Sequence, residues 1–501
     1  MEPSIKKVDW FDREHIKGDL KGRSVKGGIR TVGAQIFSFT INVVTTIFLA
    51  RLLLPEDYGL VAMVTSFTGF ILIFKDLGLT QAIIQQDYIN QQVASKLFWF
   101  NVYVSIILAL IIIALGPLLV WFYEEDRLLW ISAVYALTAV FGGLSAQHSA
   151  LLSRQMDFKA LSSITISASF VSLVVALIMA YVGFGYWALV AISVLNAAVT
   201  ALLLWIKCDW RPDRSKLDKS IIPFINFGAG ITGFNIINYF SRNLDNILIG
   251  RMLGSVPLGL YSKAYQLLML PITQLRDPLN SVGIPAMSSL TSNPEKYRKY
   301  YREYLFLLSF FSMPTITFLF VTAEDIILFL LGANWIEAAT IFKLLAITAF
   351  IQPIASTRGM VMISSGKTTR YFFWGLWNAV FVTAAFFIGI QYGLNGLAIA
   401  YAIVNYAILV PSLMYCFNGT PVSVFDFFKT IAFAAIISVL SATAVWLAHD
   451  IIINLMLWLR ILIYVILYSG IYFGIWLLLP QTRRKLFSII DLAKSLINKK
   501  L

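Results

Sequence analysis

Apolar stretches of about 20 residues follow one another almost without a break from residue 30 to residue 479, and each is long enough to cross a bilayer. In lipid, backbone N–H and C=O groups must be satisfied within the protein, which leaves helices or a closed barrel. Barrel strands need only about 9–11 residues and alternate in polarity. Runs this long and this uniformly apolar therefore predict an all-α integral membrane protein. The spans fall at about 30–52, 58–80, 95–122, 128–152, 160–182, 184–206, 221–250, 257–289, 303–322, 338–363, 370–391, 394–416, 428–448 and 457–479, about 14 transmembrane helices. Charged residues make up 13% of the chain, half the share usual in a soluble domain, so no water-encircled core is expected. Loops are too short to hold a folded extramembrane domain.

The net charge of +13 would suggest nucleic acid in a soluble protein, but its placement points elsewhere. Residues 1–29 form a basic arm without an apolar leader segment, suited to an anionic membrane surface. With that arm placed in the cytoplasm, most of the 39 Lys and Arg fall on alternate, cytoplasmic connections and on the tail. The opposite connections hold Arg51, Arg127, Arg251 and Arg460 together with Glu56, Asp57, Glu124, Glu125, Asp126, Glu324 and Asp325. An even span count and two cytoplasmic termini follow together, with no nucleic-acid partner. Cys208 and Cys416 lie near the ends of different spans and do not suggest a disulfide framework.

The first and seventh spans align at an offset of 200 residues without a gap. Gly28 matches Gly228, Gly33 matches Gly233, Arg51 matches Arg251 and Leu53 matches Leu253. Gly59–Leu60 matches Gly259–Leu260, and Lys75–Asp76 meets Arg276–Asp277 one residue out of step. More weakly, Gly183 and Ala188 match Gly393 and Ala398. The repeat unit is six spans, so both copies cross in the same sense and form parallel lobes, an arrangement that commonly encloses a cavity and works by rocking. The expected organisation is a cytoplasmic basic arm at 1–29, an N-terminal six-helix lobe at 30–206 and a cytoplasmic linker at 207–220. A C-terminal six-helix lobe at 221–416, two additional helices at 417–480 and a basic tail at 481–501 complete it.

Polar residues inside the spans supply the candidate site. Gln35, Ser38, Asn42 and Thr45 follow 3-4-3 spacing on one helix face, and Asn235, Asn238, Arg242 and Asp245 occupy the same register in the seventh span. Such stripes either line a polar cavity or hydrogen-bond between packed helices. A buried Arg is costlier than the Asn or Ser that packing alone would need, which favours the cavity. Arg30, Lys263, Arg276 and Arg358 would join Arg242 there. Guanidinium forks suit phosphate oxygens. The candidate substrate-binding set is Arg30, Gln35, Asn42, Asn235, Asn238, Arg242, Lys263, Arg276 and Arg358. Asp76, Asp245 and Asp277 either bind a coupling proton or sodium ion or pair with Lys75, Arg242 and Arg276. His148 beside Gln147 reads as a satisfied membrane polar residue. SSGKTT at 364–369 resembles a phosphate-binding loop, but Val361 stands where its first glycine is required and a helix precedes it. No metal-ligand or catalytic spacing appears, so neither an enzyme, a metal nor an organic cofactor is expected.

RLLLPEDYGLVAM at 51–63, KDLGLTQAIIQ at 75–85, DNILIGRMLG at 245–254, LGLYSKAY at 258–265 and IPAMSSL at 284–290 resemble the WzxC/TuaB-like polysaccharide exporters of the colanic-acid and teichuronic-acid type. That family lies within the multidrug/oligosaccharidyl-lipid/polysaccharide exporter superfamily, with two six-helix lobes. The resemblance implies a multi-pass protein of the bacterial inner membrane that flips undecaprenyl-pyrophosphate-linked oligosaccharide between leaflets, possible partners being other polysaccharide-assembly proteins. A cation-coupled drug or small-solute antiporter of the same superfamily is the alternative, disfavoured because buried bases outnumber buried acids. A polysaccharide polymerase or ligase is a third reading, and the short loops count against it.

Overall fold

The computed structural model describes residues 10–11, 20–75, 79–80, 83, 86, 89–216, 218, 221–222, 224, 239, 243–478 and 483, with side chains inside 20–38 given at 33, 35, 37 and nowhere else. Every regular element among these residues is helical. The chain divides into two compact units, Met1–Gly259 and Leu260–Leu501.

Unit 1 contains α1 (Leu20–Leu52), α2 (Pro55–Leu72), α3 (Gln91–Tyr123), α4 (Leu128–Tyr135), α5 (Leu137–Arg154), α6 (Phe158–Tyr181), α7 (Tyr186–Lys207) and α8 (243–253). Helix α9 (Ser255–Ser289) begins there and continues in unit 2. It is followed by α10 (Pro294–Val321), α11 (Ala323–Leu330), α12 (Ala338–Ala355), α13 (Thr357–Ser364), α14 (Thr368–Gly389), α15 (Gly393–Ala407), α16 (Leu409–Phe417), α17 (Val424–Ile452) and α18 (Leu457–Leu478).

Among the described residues, ten helical stretches are long and apolar enough to cross a membrane. One of them, Thr368–Phe417, turns back on itself at Gly393 and accounts for two of the expected spans. Two further expected spans, those of α1 and α9, carry more polar residues and miss this apolarity. The remaining expected span, 221–250, is described only in part. Fourteen spans therefore fit the chain, and the protein is a multi-pass, all-α membrane protein. Helix α1 starts at Leu20, ahead of the apolar run at 30, because helix geometry continues through the polar residues that hydropathy excludes.

Local sequence sets the boundaries. Asn90 accepts the Val93 N–H at 2.9 Å, Asp157 the Ala160 N–H at 3.0 Å and Asn293 the Lys296 N–H at 3.1 Å, capping α3, α6 and α10. Pro55 and Pro294 sit in the first turns of α2 and α10, where no N–H is needed. Gly183 (φ +91°) and Gly393 (φ +76°) make the turns before α7 and α15, and Ala188 and Ala398 are both fully buried just after them. The weaker of the two repeat alignments thus marks equivalent turns.

The linker after α7 lies along the first half of α3. Gln91 Nε2 donates to the Arg211 carbonyl (2.9 Å), and its Oε1 accepts from Trp210 Nε1 (2.5 Å). Ser95 accepts from the Asp213 N–H, Trp99 donates to the Asp213 carbonyl, and Lys96 pairs with Asp218 at 2.5 Å. Cys208 and Trp210 are buried in the hydrophobic cluster at this end of unit 1, and both cysteines of the chain are free. In unit 2 one core runs through α10, α16, α17 and α18.

Candidate functional site

In unit 1 the polar face of α1 is open. Gln35 and Asn42 are exposed, and neither makes a hydrogen bond with another described residue. Thr45 Oγ1 returns to the Ile41 carbonyl at 2.7 Å. A face sealed by interhelical hydrogen bonds would have its amides buried and paired. On a membrane helix an exposed amide needs water or a polar ligand beside it. Asp245 on α8 is buried, and its Oδ1 accepts the N–H of Asn246 at 2.8 Å. Asn235, Asn238, Arg242 and Asp76 lie outside the described residues, as does the side chain of Arg30.

In unit 2 the wall is α9. At about 100° per residue, Lys263, Gln266, Arg276, Asp277 and Asn280 fall within an arc of about 140°. Lys263 is buried, and its Nζ donates to Gln266 Oε1 at 2.9 Å. Arg276 pairs with its neighbour Asp277 at 3.0 Å, and Asp277 is largely exposed. Tyr304 of α10 donates to Asn280 Oδ1 at 2.6 Å and so orients that amide.

Arg358 lies on α13, not on α9. Its Nε donates to the Ala355 carbonyl at 2.8 Å, NH1 donates to Ser412 Oγ, and the guanidinium lies 4.9 Å from the Trp374 ring centroid. Among the described residues its partners are all uncharged. Lys367 in the phosphate-loop-like string donates to the carbonyls of Asn418 (2.8 Å) and Gly419 (2.5 Å), so it serves as a clamp on the turn before α17. His148 is buried in an aromatic box, with ring centroids 4.6 Å from Trp205, 5.3 Å from Trp210 and 6.0 Å from Phe98. Contrary to the expectation of a satisfied polar residue, neither its ring nitrogens nor the Gln147 amide has a hydrogen-bond partner among the described residues.

Sequence reasoning missed two features of this region. Tyr239 places its hydroxyl 3.0 Å and 3.1 Å from the carbonyls of Thr65 and Ser66, in space left by Gly69. Gly59 and Gly259, singled out only as repeat partners, touch each other's neighbourhood reciprocally. A Cβ on Gly59 would lie 1.8 Å from the Ser255 carbonyl oxygen, and one on Gly259 would lie 1.8 Å from that of Pro55. Positions 55 and 255, like 59 and 259, are related by the 200-residue offset.

Residues 48–340, more than half of the chain, match the family described as polysaccharide biosynthesis protein. The chain belongs to that family. Among its relatives, the teichuronic acid biosynthesis protein TuaB of Bacillus subtilis is 25% identical over 68% of this chain and 71% of its own length. The lipopolysaccharide biosynthesis protein WzxC of Escherichia coli is 22% identical over 77% of this chain and 79% of its own. Two solved structures share the fold. The lipid II flippase MurJ in an inward closed conformation superposes with a TM-score of 0.66 at 14% identity, over 90% of this chain and 98% of that one. An inward-facing multidrug resistance MATE transporter of the MOP superfamily gives 0.59 at 14% identity, over 76% and 93%. The family match covers α2 through the start of α12, and with it Lys263, Arg276 and Asp277 but neither Gln35 nor Arg358. The exporter-type motifs in the sequence and the family match therefore agree.

Proposed function

We propose that this protein is a flippase that moves undecaprenyl-pyrophosphate-linked oligosaccharide repeat units from the cytoplasmic to the periplasmic leaflet by alternating access, for exopolysaccharide or surface polysaccharide synthesis. The carrying observation is the open amide face of α1. Gln35 and Asn42 are donor–acceptor groups held on a membrane helix with no partner in the described protein, as a sugar headgroup would need. Such groups replace the hydration that hydroxyls lose on entering the bilayer. The cations of α9, Lys263 and Arg276, suit the pyrophosphate, with Arg30, Arg242 and Arg358 as further candidates. The names of the relatives, a teichuronic acid and a lipopolysaccharide biosynthesis protein, support the same substrate class, and the MurJ likeness in fold supports the machinery. A proton or sodium gradient is the proposed drive, with Asp76, Asp245 and Asp277 as its candidate acids.

The test is headgroup translocation by purified protein in liposomes containing a fluorescent undecaprenyl-pyrophosphate oligosaccharide, read by an impermeant quencher. Wild type should move the headgroup, and Gln35→Ala with Asn42→Ala should slow it about tenfold or more, two lost hydrogen bonds at about 1 kcal/mol each. No crossing by wild type, with or without a proton or sodium gradient, would overturn the proposal. Drug export in place of lipid crossing would point to the antiporter.

A further inference from the structure

Unit 2 holds a groove of about 430 Å³ between α10, α12, α15 and α17 that no step above uses. Its floor includes Ala346 and Ala442, whose small side chains leave the space open. Its rim includes Phe320, Ile347 and Trp446, all exposed on membrane-spanning helices, so the groove is continuous with the lipid-facing surface. The lining hydroxyls are already engaged within the protein. Tyr406 donates to the Ile347 carbonyl (3.0 Å), Thr443 to the Val439 carbonyl (2.9 Å), and Thr317 Oγ1 lies 2.7 Å from the Tyr468 hydroxyl. An occupant finds hydrocarbon surface and no free polar group.

The end of the groove is charged. Lys343 lies on α12 at i−3 and i−4 from Ala346 and Ile347, the same face of that helix about one turn nearer its start. Its Nζ pairs with Glu324 Oε1 of α11 at 2.6 Å, and both side chains are partly exposed. Val321, which lines the groove, ends α10 just before Glu324. One cation and one carboxylate thus stand at the membrane face where the apolar groove ends.

We infer that this groove binds a zwitterionic aminophospholipid, with one acyl chain in the groove, the phosphate on Lys343 and the amine on Glu324. Charge complementarity selects this occupant. A zwitterionic head exchanges the Lys343–Glu324 pair for two ion pairs without changing the net charge of the site. An anionic phospholipid leaves Glu324 opposing its phosphate, and a polyprenyl phosphate brings more negative charge and no amine. The bound lipid would brace α11 and α12 against α17, a role separate from the translocated substrate.

Native mass spectrometry of the delipidated full chain, with phosphatidylethanolamine, phosphatidylglycerol or undecaprenyl phosphate added singly, tests this. Wild type should retain phosphatidylethanolamine about tenfold more tightly than either of the others. Ala442→Trp should abolish that retention by filling the groove. Lys343→Gln with Glu324→Gln, a surface change that leaves the groove intact, should keep chain binding but erase the preference. Retention of no lipid would overturn the inference, as would equal or tighter binding of phosphatidylglycerol or undecaprenyl phosphate. So would an unchanged preference in the Lys343/Glu324 double variant, which answers even where Ala442→Trp does not fold.

Discussion

Gly59 and Gly259 each bring a helix start against the backbone of the other copy of the same motif. The space at either position ends at a carbonyl oxygen, and a backbone atom cannot swing aside as a long side chain can. Gly59→Ala and Gly259→Ala should therefore each cost about 3 kcal/mol, at the upper end for overpacking. Because the contact is reciprocal, the two losses should be alike. Gly470→Ala, in α18 with open space around its Cα, should be neutral or stabilising by a few tenths of a kcal/mol. Apparent melting temperatures of the purified variants by intrinsic-dye fluorimetry provide the check, and an unchanged midpoint for Gly59→Ala would refute the packing argument. The 200-residue offset was visible in these two glycines before any coordinates. Their contact was not, because a glycine in a helical pattern reads the same whether it touches a backbone or faces nothing. Likewise, exposure of Gln35 and Asn42 separated an open face from a packed one, a distinction that 3-4-3 spacing cannot make.

The elements were legible wherever hydropathy and capping agree, and less so where a helix carries polar residues. Helices α1 and α9 were read from their apolar runs, although their polar residues keep both below the apolarity of the other spans. The break between α4 and α5 left no sequence mark, since no glycine or proline stands at Ala136. By contrast, Pro353, one turn before Ser356, marks the break between α12 and α13 that a single expected span passed over. Turns between elements are held by charges that the sequence analysis places in the connections. Arg127 binds both oxygens of Glu125 (2.7 and 2.8 Å) and reaches Glu56 at 2.5 Å, tying the start of α2 to the turn between α3 and α4. The hydrogen bond from Arg127 holds the Glu125 carboxyl below its ordinary range, against a smaller opposing effect of burial. A lowered folded pKa means that the stabilisation is fully present above the unfolded value of about 4.5 and disappears as pH falls through the folded one. Arg127→Met should accordingly lower stability by about 1 kcal/mol at neutral pH, these groups being partly exposed. The gap from wild type should narrow as pH falls below about 4.5 and through the lowered folded value, where Glu125 takes up its proton. Melting curves of both proteins from pH 3.5 to 8 measure it, and a constant gap across that range would contradict the assignment.

On the scale of the whole molecule, the last two helices are built into unit 2, although the family match stops at residue 340, well before them. Tyr464, Tyr468, Tyr472 and Trp476 are buried at four-residue steps along one face of α18. Tyr472 donates to the Phe310 carbonyl at 2.8 Å, and the Trp476 ring sits 5.1 Å from that of Phe310, so α18 packs on α10. The start of α17 is fixed by Asp426, which is buried and completes a capping box with Ser423. Its two oxygens take Arg298 at 2.6 Å and Arg302 at 2.5 Å, both from α10 and both about half-exposed. Sequence alone counted these helices but left them as additions, because their partners on α10 are more than 100 residues away. The shared carboxylate makes a prediction that independent ion pairs would not. Removing one arginine leaves Asp426 charge-paired with the other, whereas removing both leaves a buried carboxylate supported only by Ser423. Arg298→Ala and Arg302→Ala should each cost about 0.5 kcal/mol as half-exposed pairs. The double variant should cost more than their sum by about 1 kcal/mol or more, the coupling expected within one network. Asp426→Ala, which also removes the cap, should cost about 2 kcal/mol. A double-mutant cycle on apparent melting temperature decides the matter, and additivity within about 0.5 kcal/mol would mean that Asp426 does not bind α17 to α10 through both arginines.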